Sequence, residues 1–362
     1  MGECCRRRDL CEGRFYELFA RIPACQGTHR FLIVFLVLVV QLGFSADDKQ
    51  KSYEAARQQA SDLVDIFSAG PVRIRATFHL HVVAGLLDGK YQYSQLSKDE
   101  YREEIETPAF GESVVYRRGD RYVSRSKHLE PLPIWHLRQL IYSARMIPGK
   151  APVSKLTTPI QNGKKLKCYA SETGPFGPTE FFGYQACFDV ETGVLASRES
   201  SLNGDLYRYE YSKFLRQDSK LFPATMRGFH NGKLSAEVTV DSITYGPMDA
   251  ELLSPPAKAS KQDACKTFRG AEAEYSKEYF QIRSEYRSGS VVIAGSLDDH
   301  GKVQETEIQQ PADPKMDGAA LRALKEIQFR PAKCDGNAIP SLFRLQIWFS
   351  PALHPDSFES FR

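Results

Sequence analysis

Residues 166–245 alternate between apolar-rich stretches and sharp turn dipeptides, and this pattern constrains the fold more than any other feature of the chain. Asn203-Gly204 and Asn231-Gly232 are dipeptides that accept two successive positive φ values, as a tight hairpin requires. They bracket Leu206–Leu215 and Leu221–Phe229. Lys233–Tyr245 follows, with Leu234, Ala236, Val238 and Val240 on one face. Consecutive hairpins of this kind build an antiparallel meander. Strands are also expected at Val72–Phe78 continuing through Leu80 and Val82, at Lys90–Leu96 after an Asp88-Gly89 turn, at Tyr101–Glu106, at Ser113–Tyr116 and, past Gly119-Asp120, at Arg121–Ser126. A sheet this large must cover an apolar face. Two segments of helical spacing are available for that. One spans Ser52–Phe67 and stops at Ser68-Ala69-Gly70-Pro71; the other carries Ile134, Leu137, Leu140, Ile141 and Ala144 and ends before Pro148-Gly149.

Upstream, Phe31–Leu42 reads FLIVFLVLVVQL, flanked by Arg30 and by Asp47-Asp48. A basic flank, a short apolar run and then small residues (Gly43, Ser45, Ala46) form an export-signal pattern. The run is shorter than the ~20 residues of a membrane span. The expectation is a signal over 1–46, cleaved after Ser45 or Ala46; a retained anchor is the alternative. The net charge is only +3. Residues 47–362 carry 42 basic and 41 acidic side chains, so no electrostatic case exists for nucleic acid.

Four cysteines follow the apolar run: Cys168, Cys187, Cys265 and Cys334. An even count in an exported chain points to disulfides. The midpoint between Cys168 and Cys187 falls between Gly177 and Pro178, within the turn sequence Gly174-Pro175-Phe176-Gly177-Pro178. A hairpin there sets them opposite each other, within bridging reach; two buried thiols are the alternative. Cys265–Cys334 follows by elimination.

Leu252–Lys261 reads LLSPPAKASK, a composition typical of a linker. The organisation expected is therefore a β-rich domain over 47–250, a linker over 251–269, a small domain over 270–350 and a tail over 351–362. The small domain reads as a charged helical segment (Gly270–Tyr286), strands at Ser290–Leu297 and Lys302–Gln309 around an Asp299-His300-Gly301 turn, a helix through Met316, Ala320, Ala323, Leu324 and Ile327, and a last strand, Leu342–Phe349. The fold class is α+β: an antiparallel β-meander or half-barrel with helical lids, followed by a ββαβ unit.

The last unit carries Tyr275-Ser276, Gly289-Ser290-Val291-Val292, Gly301-Lys302-Val303 and Met316-Asp317-Gly318 leading into Ala319–Leu324. Its most specific stretch is Phe329-Arg330-Pro331-Ala332-Lys333-Cys334-Asp335-Gly336-Asn337-Ala338-Ile339-Pro340. Together these residues resemble the TonB C-terminal domain family. The resemblance implies a periplasmic module that docks an exposed peptide of an outer-membrane transporter, or another envelope protein, by edge-strand addition. The strand implied is Leu342–Phe349, with Arg344, Gln346 and Trp348 facing away from the core; an ordinary edge strand without a partner is the alternative. The chain departs from energy-transducing members of that family in three ways. Its apolar run holds no histidine, it has no long Pro-rich spacer, and a whole β-domain intervenes.

Residues 52–246, with Gly89-Lys90-Tyr91, Tyr101-Arg102-Glu103-Glu104 and Gly119-Asp120-Arg121-Tyr122, more weakly resemble the LolA/LolB-like lipoprotein carriers. That resemblance implies a lipid or lipoprotein ligand held between sheet and helices; a filled core is the alternative. No nucleophile elbow, P-loop, dinucleotide or zinc-protease motif occurs. The Ser-x-x-Lys match at Ser124–Lys127 has no companion motif. His79 and His81 share a strand face but lack a third ligand nearby. Arg117, Arg118, Arg121 and Arg125 form a local basic group. The expectation is a non-enzymatic periplasmic adaptor with no cofactor and no metal. The alternatives are an inner-membrane-anchored energy-transducing subunit and an exported hydrolase.

Overall fold

A computed structural model describes residues 47–82, 85–145, 147, 153–175, 181–202, 205–262, 265–275 and 289–349. The apolar run 31–42, the charged segment 276–288 and the tail 351–362 lie outside the described residues.

The chain is mostly antiparallel β. A first helix, α1, covers 47–64. Then come β1 (Val72–Val82), β2 (Gly85–Ser97), β3 (Glu100–Glu106), β4 (Gly111–Arg117) and β5 (Asp120–Arg125), followed by helix α2 (Leu132–Arg145). The second run is β6 (Lys155–Thr157), β7 (Ile160–Gln161), β8 (Lys164–Pro175), β9 (Phe181–Asp189), β10 (Leu195–Leu202), β11 (Asp205–Gln217), β12 (Lys220–His230) and β13 (Lys233–Tyr245). Strand β14 (Ser260–Gln262) completes a fourteen-stranded sheet, ordered β14-β5-β4-β3-β2-β1-β13-β12-β11-β10-β9-β8-β6 with β7 beside β8. The sheet is open, not a closed barrel. Its two halves meet where β1 pairs with β13, from Val72↔Tyr245 to Leu80↔Ala236.

Alternation explains the strands. In β1 the buried residues are Val72, Ile74, Ala76, Phe78 and Leu80, with the intervening side chains turned outward. Helix α2 buries Leu132, Ile134, Leu137, Leu140, Ile141 and Ala144, a helical stripe packed on β1, β12 and β13. Tyr53 and Ala60 of α1 join the same core. Asn231 (φ 50°) and Gly232 (φ 77°) make the β12–β13 turn.

Two sequence expectations need correction. Asp88-Gly89 is not a hairpin turn; both residues lie within β2, facing His79 and Phe78 of β1. Gly89 is there for space. A Cβ on it would sit 2.1 Å from Phe78 Cζ, so the glycine lets the buried Phe78 ring lie across its neighbour. The start of the segment Gly270–Tyr286 is also strand, not helix. Glu272–Glu274 (β16) pairs with Gln328–Arg330 (β19). Arg330 bonds Glu272 and Glu274, each at 2.8 Å; residues two apart share a strand face, so one cation serves both carboxylates.

The C-terminal module is small and β-rich. A three-stranded sheet, ordered β18-β17-β22, is formed by β17 (Gly289–Leu297), β18 (Val303–Gln310) and β22 (Ser341–Phe349). Helix α3 (Pro314–Glu326) lies between β18 and β19 in sequence. Asp313 caps it, accepting from the amides of Lys315 and Met316. Met316, Ala319, Ala320, Ala323 and Leu324 pack on Val291, Ile293, Ile347 and Phe349. The short strands β15 (Phe268–Arg269), β20 (Ala332–Cys334) and β21 (Asn337–Ile339) form a separate ribbon. Within the segment read as linker, Ser260–Gln262 instead extends the large sheet at β5 and Phe268–Arg269 pairs with β20.

Candidate functional site

Both cysteine pairs are bridged. Cys168 and Cys187 are register partners on β8 and β9, with Cα atoms 4.0 Å apart. Cys265 and Cys334 join across 69 residues and tie the chain entering the module to β20.

The first candidate feature is an open strand edge. Strand β22 pairs with β17 from Gly289↔Phe349 to Leu297↔Ser341, and among the described residues its other edge has no strand beside it. Leu342 is 42% exposed there. The three side chains expected on this strand have different surroundings. Arg344 reaches the first domain: its Nη2 donates to the Glu130 carbonyl at 2.8 Å and its Nε to Gln309 Oε1 at 3.1 Å. Its guanidinium carbon lies 5.2 Å from the Trp135 ring centroid, within cation–π range. Gln346 bonds Ser290 Oγ within the module's own sheet. Trp348 is half-buried opposite Ser290. Gln309 also donates to the Glu130 carbonyl, and His128 meets Glu305 at 2.6 Å. One face of the module's sheet thus packs on α3, and residues of its other face contact the first domain around Glu130 and Trp135. Sequence reasoning did not find this contact; no local pattern marks a backbone carbonyl as an arginine acceptor.

Behind that contact lies a buried ionic group. Arg138 of α2 has Glu112 at 2.7 Å, Glu130 at 3.1 Å and Glu103 at 3.7 Å. Arg125, grouped with a surface basic patch in the sequence, turns inward to Glu112, whose side chain is fully buried. Burial opposes the charge on Glu112, but Arg138 and Arg125 outweigh it and hold its carboxyl below the ordinary value. For Glu130 burial wins and the pKa rises. Burial likewise opposes the charge on Arg138, and the three carboxylates overcome it, raising its pKa. Tyr142 donates to Glu103 at 3.0 Å and Tyr91 at 3.1 Å; burial pushes both phenols up. Glu112 and Arg125 also line an opening of about 560 Å³, together with Glu104, Glu106, Ser113 and Ser124.

The second feature is a cleft of about 550 Å³ beside the end of α1. Phe67, Tyr93, Tyr101 and Tyr142 give it aromatic walls, and Asp62, Asp65 and Arg145 give it charge. Arg145 lies 3.6 Å from the Phe67 ring centroid and 5.2 Å from that of Tyr93. Burial pushes the Tyr93 phenol up to about 12. Deeper between α2 and the sheet, around Ile141, Phe222 and Met226, only about 10 Å³ is free. That interior is filled by side chains, so a ligand has room at the rim and not in the core.

His79 bonds Asp88 at 2.7 Å on the solvent face of β1. Among the described residues no group of three or more His, Cys, Asp or Glu could hold a metal. Ser124 pairs with Ser113 inside the sheet and Ser126 accepts from the Gly111 amide. No described helix is long and apolar enough to cross a membrane.

Comparison with known proteins agrees with the geometry of the module. Residues 279–351 match the family described as the Gram-negative bacterial TonB protein C-terminal. No curated protein matches the chain. Solved structures similar to it include a putative outer membrane lipoprotein-sorting protein domain from Vibrio parahaemolyticus, at 9% identity over 55% of this chain and 94% of that one, TM-score 0.37. A LolA superfamily protein from Nitrosomonas europaea is similar at 9% identity over 55% and 96%, TM-score 0.38. A DUF1329 family protein from Desulfovibrio piger is similar at 13% identity over 54% and 95%, TM-score 0.39. The TonB-like module supports an envelope-associated binding or adaptor role.

Proposed function

We propose that this chain is a non-enzymatic adaptor of the periplasm, whose TonB-like module captures an extended segment of an outer-membrane transporter or other envelope protein by strand addition to β22. The observation that carries the reading is the open edge of β22 in a module whose residues 279–351 match the TonB C-terminal family. Strand addition needs unpaired amides and carbonyls along an edge and little side-chain chemistry. Two disulfides favour an oxidising compartment, and the export pattern ending near Ala46 supplies the route there. The first domain, on this reading, holds a lipid or the acyl chain of a lipoprotein at its rim cleft. The aromatic walls there suit an apolar chain and Arg145 an anionic headgroup.

Photo-cross-linking tests the docking. A cross-linker at Leu342, activated in intact cells, should trap an outer-membrane protein. Leu342→Pro removes a backbone donor from the strand and should reduce that adduct. Adducts to inner-membrane proteins only, or none, would count against β22 as the docking strand.

A further inference from the structure

The three-stranded sheet of the module has a second edge, β18, and beside it lies an opening of about 790 Å³ between that strand and α3. Leu324, Ile327 and Phe329 line it from within, and Leu321 of α3 is 37% exposed beside them. Lys302 and Lys325 line the groove with His300. Asp299 pairs with His300 at 3.7 Å and Asp298 accepts from the His300 and Lys302 amides, so the cationic charge lining the groove is that of the two lysines. No carboxylate lies among the described residues lining the groove. Glu305 of β18 is engaged by His128 of the first domain.

We propose that this groove is a second peptide-binding site, for an extended segment of another protein in which acidic side chains alternate with aliphatic or aromatic ones. Each part of the proposal answers a feature of the groove. The outer edge of β18, which has no strand beside it among the described residues, offers backbone donors and acceptors to an added strand. Alternate side chains of such a strand point the same way, so its apolar set can enter between Leu321 and Phe329 while its carboxylates meet Lys302 and Lys325. A bare phosphate or polyanion would use the lysines and leave the apolar floor uncovered. The site is distinct from β22, which is the opposite edge of the same sheet.

The test is fluorescence anisotropy on the full chain with disulfides intact, using two synthetic fluorescein-labelled decapeptides. Both alternate Leu and Val with a charged residue, Glu in one and Lys in the other. The Glu peptide should bind saturably, at least tenfold tighter than the Lys peptide, and weaken as salt is added. The double variant K302E/K325E should reverse the preference, and Leu321→Glu should weaken the Glu peptide at least tenfold. These positions are exposed, and matching thermal melts will show that the variants fold. Leu342→Glu, which would repel the Glu peptide from the opposite edge, tells the two edges apart: binding in the groove predicts an affinity within about twofold of the native chain. The proposal is overturned if the Glu peptide does not bind, if both peptides bind alike, or if Leu342→Glu weakens at least tenfold a binding that the groove variants leave intact.

Discussion

Replacing Arg138 by methionine removes the cation that the three carboxylates share. Glu112 and Glu103 are almost wholly buried, and Glu130 is 14% exposed at its side chain. Glu112 retains Arg125; Glu103 keeps the phenols of Tyr91 and Tyr142 as its close polar partners among the described residues. Removing one member of a buried ion pair costs roughly 3–5 kcal/mol, mostly the penalty of the stranded charge. For a domain of about 200 residues this lowers Tm by roughly 6–20 °C. The sign of the pH dependence follows from the same groups. In the native protein Glu112 has a folded pKa below the ordinary 4.5, so its contribution is complete above 4.5 and is lost as pH falls through the lower folded value. Without Arg138 the burial that opposes the charge on Glu112 and Glu130 loses its main counterweight, and protonation relieves it. The difference between native protein and R138M should therefore shrink as pH falls from 7.5 to 4. Urea melts followed by circular dichroism, with m unchanged, measure it. A deficit below about 1 kcal/mol at pH 7.5, or one that is the same at both pH values, refutes the reasoning.

Other consequences are checked more simply. Gly89→Ala forces a methyl into the Phe78 ring and should cost about 1–3 kcal/mol; the double variant G89A/F78L should recover part of the loss, as a thermal melt will show. Reducing the folded protein should lower its Tm, since closing loops of 19 and 69 residues contributes about 3 and about 4 kcal/mol in the chain-entropy model; an unchanged melt with four thiols titrated only after reduction would contradict this. Arg344→Ala should loosen the module from the first domain, seen as a shift in Trp135 emission and faster proteolysis between residues 253 and 268, with the module's own fold intact. Mass spectrometry of the protein from its native envelope should give an N-terminus at Ala46 or Asp47; a chain retaining Phe31–Phe44 would favour an anchored transducer.

The strands were legible because burial in an open sheet is periodic. Lys233–Tyr245 was bounded to the residue, since its alternation runs unbroken from the Asn231-Gly232 turn. The Cys168–Cys187 bridge was legible for the same reason, as position relative to a hairpin turn fixes register. Asp88-Gly89 misled because a glycine that makes room for a cross-strand ring looks, in sequence, like one that makes a turn. The docking of Arg344 on Glu130 was hidden because it joins residues 214 positions apart through a backbone carbonyl. The groove beside β18 was hidden too. Leu321, Lys302 and Lys325 are unremarkable singly, and only the way α3 crosses the sheet gathers them.

Hydrogen exchange of the full chain, with and without a synthetic peptide copied from the periplasmic N-terminal segment of an outer-membrane transporter of the same cell, tests the central claim most directly. Strand addition predicts slowed exchange of amides along β22, Ser341–Phe349, with the remainder of the chain little changed. Exchange along β22 that is the same with saturating peptide, or protection confined to other strands, would contradict it.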